Sequence, residues 1–233
     1  MRYILIFMLS IFLGASLVSS AEIVGPAVVV DGDTLEINGQ QIRLFGIDAP
    51  EAAQTLPLAT GGQDFFGRGA ALVLRSLLEE GEIRCEPTNK HDKRGAMLAT
   101  CFSGKTDLGA EMIERGMAWT PPEGQSPYKK LEDVARTKRL GFWRDQLERP
   151  WFYRRRKQFS AGSDAPKGCA FKATVDRKGN RIYFVPWSPW YRKFDMDLAR
   201  GDKWFCSEPE AIAAGWKSPL FLMSSIVAGV YNP

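Results

Sequence analysis

Four acidic residues and an arginine lie close together between Val30 and Glu51 and could together hydrolyse a phosphate ester. The acids are Asp31, Asp33, Asp48 and Glu51, and the arginine is Arg43. Carboxylate oxygens are hard ligands that suit Ca²⁺ or Mg²⁺, and a carboxylate that does not bind the metal can activate a water molecule. A guanidinium group can hold phosphate oxygens through two parallel hydrogen bonds. Any single acid here is better explained as a turn or surface residue, so the prediction depends on the whole set.

The segment around these residues is predicted to form three short strands between Glu22 and Gly46. A β-branched run at Val28–Val30 indicates a strand, Asp31-Gly32-Asp33 marks a tight turn, and Asn38-Gly39 is a strong hairpin signal. Asp33 and Asp48 then lie at the ends of strands that a barrel would bring together. Asp31 is more simply a turn residue or a neighbour of the metal ligands.

The remaining elements of the first half predict a small α+β domain. The pattern indicates a helix at Gln63–Glu79, strands at Glu82–Glu86 and Met97–Phe102, and helices at Leu108–Arg115 and Ser126–Gly141. Five short strands with a helix after the third match a five-stranded β-barrel of OB type with three helices. This domain is predicted to span residues 22–145.

The composition changes after Trp143. Trp151–Lys157 combines aromatic residues with a run of cations, which could follow a nucleic-acid backbone or be a solvated helix face whose aromatics pack on the barrel. Residues 146–167 are therefore predicted to be a basic helix and linker. A small C-terminal α/β module follows at 168–218, with a strand at Arg181–Val185 and a short helix at Pro209–Ala214, and 219–233 form a tail.

The N-terminus is typical of a secretory signal peptide. Arg2 precedes an apolar run, Ile4–Val18, and the small residues Ser19-Ser20-Ala21 follow it. Residues 1–21 are expected to be removed by cleavage after about Ala21, which predicts a secreted or periplasmic protein with no transmembrane segment after cleavage. The net charge of +4 suits a polyanionic partner without requiring one.

Export changes the interpretation of the four cysteines. An even number in an oxidising compartment favours disulfides, and of the three pairings that four cysteines allow, Cys85–Cys101 and Cys169–Cys206 are the local ones. The sequence lacks a C-x₂-C pair and contains a single histidine, His91, which argues against a zinc site and against an ordinary Ser-His-Asp site.

Longer strings resemble the thermonuclease, or staphylococcal-nuclease-like, family from about Glu22 to Trp143. They read D-G-D-T and R-L-F-G-I-D-A-P-E, followed by D-K-R-G-A-M-L-A-T and D-L-G-A-E-M-I-E-R-G-M-A. The resemblance implies Ca²⁺-dependent cleavage of DNA and RNA to 3′-phosphorylated products. By position it implies the following roles: Asp33, Asp48 and the main-chain carbonyl of Ala49 bind the metal, Glu51 is the general base, and Arg43 binds phosphate. Lys93 and Tyr128 are the candidate substrate-binding residues, and the protein is expected to be a monomer.

The sequence departs from the family at one catalytic position. The family has a second arginine in a D-K-Y-G-R string, and here the string at Asp92–Ala96 reads D-K-R-G-A. Losing a comparable arginine costs about 10³- to 10⁵-fold in phosphoryl transfer. Arg94 is the candidate replacement, because residues two apart share a face of a regular strand, although Gly95 indicates a turn there. The sequence therefore leaves open a slow nuclease, a non-catalytic nucleic-acid-binding protein, and a cell-envelope interaction protein.

The C-terminal segment Cys169–Lys217 resembles the small "sunset" modules, which are related to the metal-binding fold of DNA-repair methyltransferases. The strings that carry the resemblance are G-N-R-I-Y-F-V-P and G-D-K-W-F-C-S-E-P-E-A-I-A-A-G-W. Those relatives bind zinc through four cysteines, whereas this segment has two. A Cys169–Cys206 disulfide is therefore preferred to a zinc site.

Overall fold

The computed structural model describes residues 21–57, 61–78, 81–93, 95–122 and 126–218. The first 20 residues of the predicted signal peptide, Arg94 and the predicted tail at 219–233 lie outside the described residues. Within the described ranges, no helix combines the length and apolar character that crossing a membrane requires.

The described chain has an α+β fold. Its strands are β1 Ile23–Gly25, β2 Ala27–Val29, β3 Thr34–Ile37, β4 Gln40–Leu44, β5 Thr55–Pro57, β6 Gln63–Phe65, β7 Ile83–His91, β8 Met97–Ser103, β9 Thr106–Asp107, β10 Phe171–Val175, β11 Arg181–Phe184 and β12 Lys203–Phe205. Its α-helices are α1 Phe66–Ser76, α2 Leu108–Glu114, α3 Lys129–Thr137, α4 Phe142–Asp145, α5 Pro150–Gly162 and α6 Glu208–Ala213. Short 3₁₀ turns lie at Pro166–Gly168, Tyr191–Lys193 and Leu198–Arg200.

The large sheet of the first half is mixed. Its strand order is β1-β7-β8-β4-β3-β2, with β9 paired to β8, and β4 runs parallel to β8. Its two end strands, β1 and β2, are separated in sequence by Pro26, which cannot donate a ladder hydrogen bond. Seven strands are thus assigned where five were predicted, because Pro26 divides the first strand and β9 adds a two-residue strand.

The helices of this half pack apolar faces against the sheet. Helix α1 buries Ala70 and Leu74, which are four residues apart and share one face. Strands β3 and β4 contribute inward side chains to the same core, including Leu35 and Ile42, both fully buried. The predicted helix at Gln63–Glu79 begins later, at Phe66, because Gln63–Phe65 pairs with Thr55–Pro57 as the hairpin β5–β6.

The C-terminal part has a separate core. Strands β11-β10-β12 form an antiparallel sheet, and α6 packs near it. Phe171, Tyr183 and Phe205 are buried together there, and Tyr153 of α5 joins the same group. Trp151, two residues earlier, packs against the core of the first half. Helix α5 therefore connects the two cores, while the resemblance of this part to sunset modules stays a prediction.

Both disulfides join neighbouring strands or segments. Cys85 of β7 lies directly opposite Cys101 of β8 and is bonded to it. Cys169 precedes β10 and is bonded to Cys206, which follows β12. These are the two pairings that the sequence favours.

Candidate active site

A tight turn after β2 places the first acid of the site. The main-chain N–H of Asp33 donates to Asp31 Oδ1 at 3.0 Å, and the Thr34 hydroxyl donates to Asp33 Oδ1 at 3.0 Å. Gly32 allows this turn to approach its neighbours, since a Cβ at position 32 would lie 2.7 Å from the Cβ atoms of Ala49 and Ala70. The Ala49 N–H then reaches Asp33 Oδ2 at 2.9 Å.

A two-residue bridge fixes the second acid. The Asp48 N–H donates to the Trp119 carbonyl at 2.8 Å, and the Trp119 N–H returns a hydrogen bond to the Asp48 carbonyl at 3.0 Å. Trp119 is almost fully buried and stacks on Phe142 of α4, with ring centroids 5.4 Å apart. The segment after β4 is therefore held firmly against the helices that follow the sheet.

Arg43 of β4 joins the two acids. Its Nη2 atom donates to Asp33 Oδ2 at 2.9 Å and to Asp48 Oδ1 at 2.8 Å. Its Nη1 atom lies 3.6 Å from Asp92 Oδ2, at the end of the β7–β8 hairpin. Asp33 and Asp48 therefore both contact one nitrogen atom of Arg43. All three residues are predicted from the sequence to belong to the site.

Arg154 of α5 joins Asp48 to Glu51. Its Nη1 atom donates to Asp48 Oδ1 at 3.0 Å and to Glu51 Oε1 at 2.7 Å, and its Nη2 atom donates to Asp48 Oδ2 at 2.6 Å. Charges alternate along Asp33, Arg43, Asp48, Arg154 and Glu51, and this group is called the carboxylate–arginine cluster below. Arg154 is a site residue that the local sequence pattern does not predict, since its signal there is membership of the basic run after Trp151.

The cluster shifts the pKa values of its members. Burial opposes the charge of Arg154, but hydrogen bonds and ion pairs with Asp48 and Glu51 outweigh it and raise the pKa of Arg154 above its ordinary value. Burial likewise favours neutral Asp33, yet Arg43 and the Ala49 N–H lower the pKa of Asp33 below its ordinary value. Burial and the adjacent Asp33 raise the pKa of Asp31 to about 7.

The donor set fits a hard divalent cation. Asp33 and Asp48 each place a carboxylate oxygen within 2.9 Å of the same Arg43 nitrogen, so one cation near that position could contact both. Ala49 adjoins them, because its N–H donates to Asp33 Oδ2. In the described residues no group of three or more His, Cys, Asp or Glu side chains is arranged for a metal. Main-chain oxygen and water would therefore complete the ligands.

A cleft of about 760 Å³ opens beside the cluster. It is lined by Arg43, Asp48 and Arg154, and by the predicted substrate-binding residue Lys93. Aromatic and basic residues of α5 continue its wall, namely Trp151, Phe152 and Arg155.

Tyr128, the other predicted substrate-binding residue, is not brought into this group. It is buried, and its hydroxyl donates to both carboxylate oxygens of Asp107, at 2.9 and 3.1 Å. Burial and the Asp107 charge raise the pKa of Tyr128. Arg94, the predicted replacement for the family's second arginine, lies outside the described residues.

Position 96, where the resemblance places that arginine, is buried. The Ala96 N–H donates to Asp92 Oδ1 at 2.9 Å, and the residue is 8% exposed. Ala96 faces a small cavity of about 130 Å³ whose far wall is formed by Tyr183, Ile212 and Lys217 of the C-terminal part. The C-terminal part therefore covers this position.

Comparisons with known proteins agree with this geometry. Residues 41–145 match the family described as "Staphylococcal nuclease homologue". The chain is 34% identical to a succinoglycan biosynthesis protein, ExoI, of Rhizobium meliloti, over 54% of this chain and 67% of the relative. It is 28% identical to an uncharacterized endonuclease of Haemophilus influenzae, over 58% of this chain and 75% of the relative. It is also 28% identical to protein ParB of Escherichia coli, over 58% of this chain and 81% of the relative.

The matched segment carries Arg43, Asp48, Glu51 and Ala96, whereas Asp33 precedes it and Arg154 follows it. The chain therefore belongs to the staphylococcal nuclease homologues.

Proposed function

We propose that the protein is an exported, Ca²⁺-dependent nuclease that hydrolyses phosphodiester bonds of DNA, RNA or both. The observation that supports this most directly is the convergence of Asp33 and Asp48 on one nitrogen atom, with Glu51 next to Asp48 through Arg154. Two carboxylates that can share a cation, a third beside them and a guanidinium group are the parts that attack of water on phosphorus needs.

Each residue has a defined role in this proposal. Asp33, Asp48 and the Ala49 carbonyl would hold the cation, which supplies positive charge to the phosphate oxygens when it is bound. Glu51 accepts a proton from a water molecule as the water oxygen forms a bond to phosphorus and the bond from phosphorus to the 5′ oxygen breaks. The 5′ oxygen takes a proton from solvent, which leaves a 3′-phosphate and a 5′-hydroxyl. Arg43 holds the non-bridging phosphate oxygens.

The cleft favours a polynucleotide strand as the substrate. Lys93 and Arg155 line it and could contact phosphates on either side of the cleaved bond. Trp151 and the half-exposed Phe152 lie on the same wall, where bases could stack. The two disulfides are compatible with the oxidising compartment that the predicted signal peptide implies.

A second function, nucleic-acid binding without cleavage, is favoured by Ala96. The resemblance places the family's second arginine there, and the buried Ala96 is not among the residues that line the cleft. The same cleft and the same cations would serve a binding protein, so the two functions differ in chemistry rather than in surface.

Cleavage assays separate the two functions. The purified protein is incubated with single-stranded DNA and with RNA, in Ca²⁺ or in excess chelator, and the product ends are identified. We expect chelator-sensitive cleavage that leaves 3′-phosphates, and we expect Glu51→Gln to abolish it without changing the circular dichroism spectrum. Strand binding with no chelator-sensitive cleavage, at protein concentrations that saturate the strand, would replace the nuclease proposal with the binding function.

A further inference from the structure

Arg154 contacts two acids of the site from a helix that lies beyond the family-matched segment. Its guanidinium group makes three hydrogen bonds, two to Asp48 and one to Glu51, at 2.6–3.0 Å. We propose that Arg154 is the second phosphate-binding arginine of this protein and supplies the guanidinium group that position 96 does not. This inference deepens the proposed nuclease function and rests on it.

Arg154 shares its environment with Arg43. Both donate to Asp48 Oδ1, at 3.0 and 2.8 Å, and their side chains are 21% and 16% exposed. Both line the same cleft, so each can reach a ligand there without a change in the fold. In the cluster the two guanidinium groups neutralise carboxylates. A bound cation would take over that neutralisation and leave both groups available to phosphate oxygens.

The contact between Arg154 and Glu51 is supported on both sides. The Tyr153 hydroxyl donates to the Ala53 carbonyl at 2.9 Å, and the Gln54 side-chain amide donates to the Glu148 carbonyl. The loop after Glu51 is thereby tied to α5 and to the residues just before it. Arg154 and the proposed general base keep a fixed separation, as a catalytic pair requires.

The position of Arg154 next to Glu51 suits the reaction. A water molecule that Glu51 activates must face the phosphorus atom, so the phosphate lies close to Glu51 and within reach of Arg154 Nη1, which is 2.7 Å from Glu51 Oε1. Two parallel N–H groups could then contact the oxygens that gain charge as the new bond forms. Ala96, in contrast, does not line this cleft and lies on a separate small cavity that the C-terminal part also lines.

Steady-state cleavage of single-stranded DNA in saturating Ca²⁺ is the first test. We expect Arg154→Ala to lower kcat by about 10²- to 10³-fold, as removal of one preorganised donor does, and Arg154→Lys to restore part of the loss. The lysine variant keeps the positive charge, so it still tests the role of Arg154 if the alanine variant unfolds. Arg156→Ala is the matched control, because Arg156 lies on the same helix but is exposed and pairs with Glu148, and it should cleave as the wild type does.

Binding is the second test, and it does not need turnover. In the Glu51→Gln background, the affinity for a fluorescent single-stranded oligonucleotide is measured by anisotropy in Ca²⁺ across a salt series. Loss of one phosphate contact should reduce the magnitude of the slope of log association constant against log salt concentration by about 0.7. We expect this reduction for Arg154→Ala and not for Arg156→Ala. If the wild type proves unable to cleave, the nuclease proposal fails, while this slope still decides whether Arg154 binds phosphate.

One alternative predicts the opposite results. If Arg154 only blocks the metal ligands, Arg154→Ala should bind Ca²⁺ more tightly by calorimetry, cleave at least as fast as the wild type, and keep the wild-type salt slope. That combination would overturn the inference. Slow cleavage with an unchanged slope would also overturn it, since Arg154 would then act without touching phosphate.

Discussion

Asp48 accepts hydrogen bonds from two guanidinium groups, and its side chain is almost completely buried. Removing this buried carboxylate would leave two buried guanidinium groups without the acceptor that they share. The same carboxylate is a proposed metal ligand. Asp48 therefore connects the stability of the fold to the response of the protein to Ca²⁺.

Thermal unfolding with and without Ca²⁺ tests this connection. At Ca²⁺ concentrations a hundredfold above Kd, the wild type should gain about 2.7 kcal/mol of stability. Asp48→Asn should unfold at a lower temperature without Ca²⁺ and should gain nothing from its addition. Asp133→Asn is the control, because Asp133 is an exposed acid on α3, and its Ca²⁺ response should equal that of the wild type. A full Ca²⁺ response in Asp48→Asn would remove Asp48 from the proposed ligands.

Individual residues of the site differ in how far the sequence could identify them. Asp33, Arg43 and Asp48 lie within a short segment, and the turn and strand signals between them predict their convergence. Arg154 is 106 residues from Asp48, and no local pattern indicates that contact. It depends on how α5 packs between two cores, which single-sequence periodicity does not encode. Tyr128 shows the converse, because its spacing is compatible with a site but its hydroxyl is directed to Asp107.

At the scale of elements, α1 supports the main chain of Glu51. A Cβ on Gly67 would lie 2.1 Å from the Glu51 carbonyl oxygen, so the helix approaches this loop as closely as a residue without a side chain allows. The loop carrying the proposed base therefore rests directly on the first turn of α1. A Cβ on Gly69, in the same helix, would have no neighbouring atom of the described residues within 4 Å, so this position has room for a methyl group.

Two glycine substitutions separate contact from helix propensity. Gly67→Ala should destabilise the protein by about 1–3 kcal/mol through steric overlap and should also slow cleavage, because Glu51 must move. Gly69→Ala should stabilise it by about 0.4–1 kcal/mol and leave cleavage unchanged. Urea unfolding measures the change in stability of each variant, and the cleavage assay measures the change in its rate. Equal effects of the two substitutions would show that the close approach to Glu51 is unimportant.

The elements themselves could be predicted where a strong local pattern exists. The Asn38-Gly39 turn and the apolar spacing of α1 give β3, β4 and the helix close to their observed positions. The sequence pattern does not predict the hairpin β5–β6, because its strands are three residues each and mostly exposed and therefore show no hydrophobic alternation. Its formation depends on pairing between Thr55–Pro57 and Gln63–Phe65 rather than on either segment alone.

At the scale of the whole molecule, the C-terminal part has two connections to the site. It covers Ala96 through Tyr183 and Ile212, and it is joined to the first half by α5, which carries Arg154. If Arg154 binds phosphate as proposed, the module that covers Ala96 and the helix that carries Arg154 are parts of one arrangement.

Restoring the family arginine tests that arrangement. In Ala96→Arg the long side chain must enter the small cavity or separate the C-terminal part from the sheet, so we expect a loss of about 1–3 kcal/mol in urea unfolding and no gain in cleavage rate. Ala213→Arg, an exposed change on α6, should stay within about 0.5 kcal/mol of the wild type. If Ala96→Arg instead kept full stability and cleaved faster, position 96 would be open to the cleft, and the C-terminal part would not enclose it as the cavity indicates.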